Sequence, residues 1–270
     1  MGDFLLILML AGFFVSVIVG IVGSLIVFTR SSSLTGAVSH ANFGAVGLAF
    51  YFHLSPQLIP FAIALFSGVV GLLLSFITFK LPNRKETLIN GVWAVGMSLG
   101  ILFLYLGNIQ NSEVLSYLFG NFLFTTKSQL YLLGGITLFL LLLLPFTKII
   151  LSISYDPEFM KLRHIPVGLI YTLFLVVVSV VIGLLVQSVG IILLLALFTL
   201  PPIIVEQLIK HPFLVILFSS LLTFGVIASS ILLSLYYPLP LIPLIVLILA
   251  GLLIVVILLK ELRSFVFARG

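Results

Sequence analysis

Long runs of Leu, Ile, Val and Phe follow one another along this chain, separated by short polar breaks. A helix needs about 20 apolar residues to cross a bilayer. On that ruler the pattern predicts spans at roughly 4–28, 57–79, 88–107, 129–151, 167–187, 189–209, 213–235 and 241–259. One stretch departs from the rhythm. Ser31–Phe50, SSSLTGAVSHANFGAVGLAF, is rich in Ser, Gly and Ala and carries His40 and Asn42. Counted as a helix over 34–54, it brings the total to about nine crossings. The fold class read from this pattern is all-α: a polytopic membrane helical bundle of about 8–9 transmembrane helices. The tract 114–124 is too short to cross and reads as an interfacial or re-entrant helix. With short loops and no linker, residues 1–270 are expected to form a single transmembrane domain.

The unusual stretch gains meaning from helical spacing. Gly36, His40, Gly44 and Gly47 fall on one face, and Ala37, Ala41, Ala45 and Ala49 form the stripe beside it. Such a surface lets neighbouring backbones approach closely. The segment is therefore expected to be an inner helix, with Gly36, Gly44 and Gly47 lining a pathway. The adjacent prolines Pro201 and Pro202 interrupt another span and are expected to shape the same pathway, whereas Pro60 and Pro145 read as kinks in mid-span.

Composition excludes a water-soluble core. The chain is 62% hydrophobic and 7% charged, with a mean hydropathy of +1.44, against about 45–50% and 25% in soluble domains. It is basic, but its Lys and Arg residues are not clustered on one segment as a nucleic-acid surface would have them. Arg30, Lys80, Arg84, Lys85, Lys148, Lys161, Arg163, Lys210, Lys260, Arg263 and Arg269 all fall on one side if nine spans alternate, and only Lys127 falls on the other. Because basic loops stay in the cytoplasm, the expected topology is N-terminus outside and C-terminus cytoplasmic, in the plasma membrane. The first ten residues have no basic n-region, so the first span reads as retained rather than as a signal peptide. There is no cysteine, hence no disulfide and no thiolate ligand.

Few motifs carry chemistry. The GxxxxGK[ST] phosphate loop is absent, so the chain is not expected to bind ATP in that manner or to act as an enzyme. The GxSxG at Gly96–Gly100 lies inside a span without acid or base partners and reads as small residues for helix packing. His40 has two open readings. It is a transient ligand for a divalent cation, with Asn42 as a weak second ligand, or it is a polar residue hydrogen-bonded across helices. In the segment Ser154–Gly168, Asp156 is expected to cap a short helix begun by Pro157 and Glu158. Phe159 and Leu162 would give that helix a small apolar face, set either to dock a soluble partner or to rest on lipid headgroups.

Several of these features share an order. Arg30 follows the first span. Then come A-x-S-H-A at Ala37–Ala41, YLFGN at Tyr117–Asn121, YDPE at Tyr155–Glu158, Val189–Gly190, and ALFTLPP at Ala196–Pro202. Over residues 4–260 the chain resembles the permease subunits of bacterial and archaeal ABC importers for zinc, manganese and iron. The resemblance implies a homodimeric permease with an extracytoplasmic metal-binding protein docking outside. Two cytoplasmic ATPase subunits would dock on the loop around Asp156–Val167, through Asp156, Pro157, Glu158, Phe159 and Leu162. It implies no cofactor held by this chain, with ATP on the partner subunit. Many relatives carry an aspartate where Gly36 stands, and alanine and glycine where Met160 and His164 stand. The same machine for a metal chelate or vitamin is the alternative. A secondary transporter would show paired intramembrane acids, and none is visible.

Overall fold

The computed structural model describes residues 2–108, 118–120 and 122–267. These contain helices and no strand. Eight helices are long and apolar enough to span a membrane: α1 (Gly2–Phe28), α3 (Ile59–Lys80), α4 (Pro82–Leu106), α5 (Lys127–Tyr155), α7 (Val167–Val189), α8 (Ile191–Leu208), α9 (Pro212–Tyr236) and α10, whose apolar part is Leu241–Leu262. A ninth, α2 (Ser32–Tyr51), is long enough but less apolar. A six-residue helix, α6 (Pro157–Leu162), lies between α5 and α7. The chain is therefore a multi-pass α-helical membrane protein, and the spans read from hydropathy all reappear. Of the tract 114–124, residues 114–117 and 121 lie outside the described residues, and Phe122–Phe124 form a 3₁₀ turn.

α2 tolerates its polarity because it is enclosed. Thirteen of its twenty residues are buried, among them Thr35, Ser39 and Asn42, so these polar side chains do not face lipid.

The prolines sort by position. Pro145 sits in a 3₁₀ turn, Leu144–Phe146, that interrupts α5, which is the kink expected of it. Pro60 does not kink α3, contrary to expectation. It occupies the first turn, where a missing N–H removes no helical hydrogen bond.

The helices form two compact units. One comprises residues 28–125 and 141–195, the other residues 1–27, 126–140 and 196–270. In the first, α2 packs along α4, and α3 along α7. Hydroxyls tie these helices together. Ser75 and Thr172 share a 2.6 Å hydrogen bond between α3 and α7, and Ser31 and Tyr171 share one of 3.1 Å. At the end of α7, Gly190 (φ 83°) meets Gly120 (φ 78°). A β-carbon at Gly120 would lie 2.7 Å from the Gly190 nitrogen, and one at Gly190 would lie 2.8 Å from the Gly120 α-carbon. Left-handed backbone and the lack of room both require glycine here. The glycines of two separate sequence motifs, YLFGN and Val189–Gly190, thus form one contact.

In the second unit, α1 packs on α9, and α9 on α10. A π-helical turn, Val19–Gly23, widens α1. Pro202 has no N–H for the Phe198 carbonyl to accept. That carbonyl points at Gly23 instead, 2.9 Å from where a β-carbon would sit, a contact open to a Cα–H donor. Pro201 and Pro202 are both buried, so Pro202 acts here in helix packing against α1.

Candidate functional site

The candidate site is built on α2 and α4. Gly44 meets the Gly96 carbonyl, 3.2 Å from an added β-carbon, and Gly47 meets Gly100, with its carbonyl at 2.6 Å. From the other side, a β-carbon at Gly100 would reach within 2.6 Å of the Phe43 carbonyl. The GxSxG of the sequence is thus a small-xxx-small packing surface. Gly44 and Gly47 are occupied by α4, whereas Gly36 has only Leu195 Cδ2 near it, at 3.6 Å.

One turn away on each helix stand two rings. His40 is four residues before Gly44, and Trp93 is three before Gly96. Their rings stack nearly parallel, 20° apart, with centroids separated by 4.5 Å. His40 is half-buried, and its Nδ1 is enclosed with no hydrogen-bond partner. The reading of His40 as a residue hydrogen-bonded across helices finds no such bond.

Asn42 points elsewhere. Two residues from His40, it lies about 200° around the helix. Its Oδ1 accepts a 2.6 Å hydrogen bond from Ser67 of α3, and a β-carbon at Gly183 of α7 would lie 2.8 Å from its Nδ2. Asn42 therefore belongs to a buried polar junction of α2, α3 and α7. The structure does not bring it to His40 as a second ligand. Among the described residues, no group of three His, Cys, Asp or Glu side chains is placed to hold a metal ion.

A second feature lies between α5 and α7. Asp156 accepts the Phe159 N–H at 2.9 Å and caps α6, with Pro157 in its first turn. Glu158 pairs with Lys161 at 2.8 Å on the surface. The helix is closed by a Schellman arrangement: the His164 N–H reaches the Lys161 carbonyl and the Ile165 N–H the Met160 carbonyl. His164 accordingly takes φ 57°, the left-handed position that favours glycine. Met160 turns inward onto Ile153 and Val167 and anchors the helix. Phe159 and Leu162 turn outward, 51% and 79% exposed, and Arg163 lies over the Phe159 ring at 5.4 Å. Lys148, Tyr155, Asp156, Phe159 and Arg163 border a cleft of about 470 Å³. Removing the cap is expected to fray α6. Asp156→Ala should cost about 1 kcal/mol, read as faster hydrogen exchange at the Phe159 amide, and an unchanged rate would show that packing of Met160 alone holds the helix.

Sequence reasoning missed Trp93 and Ser67, and it gave Met160 only as a departure from the family pattern. Trp93 carried a signal in hindsight: it is the only Trp in the chain. It lies eight residues from Lys85, or about 12 Å along the helix.

Among the described residues, nine long helices with small residues at several of their contacts define a polytopic helical membrane protein. The profile of the ABC 3 transport family matches residues 1–260, and the chain belongs to that family, as a permease subunit of an ABC transporter. It is 35% identical over 199 residues, 71% of this chain and 67% of the other, to a probable metal transport system membrane protein of Chlamydia pneumoniae. It is 26% identical to the high-affinity zinc uptake system membrane protein ZnuB of Buchnera aphidicola, over 88% of this chain and 90% of that one. In fold it is similar to a chain of PsaBC from Streptococcus pneumoniae, with a TM-score of 0.79, 23% identity, and coverage of 92% of this chain and 89% of that chain.

Proposed function

We propose that this chain is the membrane-spanning subunit of an ATP-driven importer of divalent metal ions such as zinc, manganese or iron. It works as a homodimer, with its N-terminus outside and its C-terminus in the cytoplasm. An extracytoplasmic binding protein delivers the ion, and two separate ATPase subunits bind and hydrolyse the ATP. This chain carries no ATPase chemistry and no resident cofactor; the metal is its cargo. Family membership and the metal-transport names of its relatives support the reading. The observation that carries it is His40, the only imidazole in a long helix, whose enclosed Nδ1 has no hydrogen-bond partner among the described residues. Ionisable groups inside spans are otherwise too costly to keep there. A lone imidazole suits a site that must release what it admits.

The ATPase is proposed to seat on α6, where Phe159 and Leu162 offer apolar anchors on a capped, rigid turn. In reconstituted vesicles, zinc or manganese uptake should require the ATPase and ATP. Phe159→Asp combined with Leu162→Asp changes only exposed side chains, so the fold is kept. ATPase co-purification and uptake should both fall by about tenfold or more. Uptake by the chain alone, or full retention of the ATPase by the double variant, would overturn the proposal.

A further inference from the structure

The His40–Trp93 stack assigns a task to a residue that packing alone does not explain. The close approach of α2 and α4 at Gly44 and Gly96 brings the two rings face to face one turn away, at 4.5 Å and 20°. Trp93 is 44% exposed, so its indole is not filling a core. His40 lies eight residues from Ser32 and Trp93 eight residues from Lys85, about 12 Å along each helix.

The consequence for a metal follows from ring geometry. An imidazole binds a cation through a nitrogen lone pair in the plane of the ring. A partner stacked on the ring's face leaves that plane open while restricting rotation of the side chain. Coordination of a dication draws electron density from the imidazole, and an indole face attracts an electron-poor, positively charged neighbour. The neutral ring is held in place, and the metal-bound ring is favoured over it.

We propose that Trp93 is a positioning residue for the transported divalent cation. It stacks on His40, fixes the orientation of the imidazole and stabilises its metal-bound form. The proposal rests on the pathway role given to His40 above. It also makes the chain its own reporter, since every tryptophan photon comes from the ring touching the site.

The test uses the full chain in detergent or vesicles, titrated with zinc chloride or manganese chloride, together with uptake by the whole transporter. Emission from Trp93 should change saturably with either metal in the unaltered chain and stay flat in His40→Ala. Trp93→Leu should raise the KM for uptake by roughly 2- to 30-fold, the range of one cation–π contact, with kcat little changed. Trp93→Phe, which keeps an aromatic face, should recover most of the loss. If His40→Ala abolishes uptake while Trp93 emission ignores metal and Trp93→Leu transports with the original KM, the positioning role is wrong and the pathway role stands. If His40→Ala transports normally, the pathway role itself fails. If the Trp93→Leu protein is lost from the membrane, the emission titration decides: a saturable change that disappears in His40→Ala supports the positioning role, and emission that ignores metal overturns it.

Discussion

Replacing His40 with alanine is expected to lower zinc or manganese uptake by about 10- to 100-fold in cells that make the whole transporter, with the amount of protein in the membrane unchanged. Even changes in the surroundings of metal ligands weaken sites on that scale, and here the proposed ligand itself is removed. The protein should survive the substitution because the His40 Nδ1 has no hydrogen-bond partner among the described residues and the side chain is only half-buried. What disappears is one stacked ring on Trp93. The adjacent residues Ala41 and Gly44, which hold α2 against α4, are untouched. Uptake at the original rate would remove His40 from the pathway. Uptake lost together with the protein would place His40 among the packing residues, and the measurement separates these results directly.

The second large effect concerns the contact that sets this geometry. Gly100 and Gly91 lie on the same helix, and the same methyl group added at each is expected to act in opposite directions. At Gly100 the new carbon would lie 2.5 Å from Phe43 Cδ1, 2.6 Å from the Phe43 carbonyl oxygen and 2.8 Å from the carbonyl carbon. Two of these are backbone atoms of α2, which cannot rotate away, so the helices must part. Overpacking of this kind costs about 1–3 kcal/mol. At Gly91 nothing lies within 4 Å, and alanine in a helix gains up to about 1 kcal/mol over glycine. Gly100→Ala should therefore lower the thermal midpoint of the purified protein and disturb the His40–Trp93 stack, while Gly91→Ala leaves the midpoint level or raises it. Equal responses at the two positions would mean that α2 and α4 are not in backbone contact.

Legibility in the sequence followed the range of the forces involved. The capped helix at Asp156 was readable because an Asp-Pro-Glu start is a matter of adjacent residues, and the structure supplies the predicted 2.9 Å hydrogen bond. The kink at Pro145 was readable for the same reason. Pro60 was misplaced by the few residues that separate a first helical turn from mid-span. Met160 was legible only as a departure from the family pattern, and its inward orientation needed the apolar cluster beneath α6.

By itself the sequence determined the membrane, the number and lengths of the long helices and the odd polarity of α2. Lipid imposes a local ruler of about 20 apolar residues on any span, and that ruler can be applied without knowing a single neighbour. Tertiary structure alone decided which way each helix turns: Gly44 and Gly47 toward α4, Asn42 toward Ser67, and Trp93 onto His40. In water a buried face is marked by a stripe of apolar residues. In a bilayer the protein interior and the lipid are equally apolar, so hydropathy carries no record of rotation about the helix axis, and only the fit of small residues against facing backbone settles it.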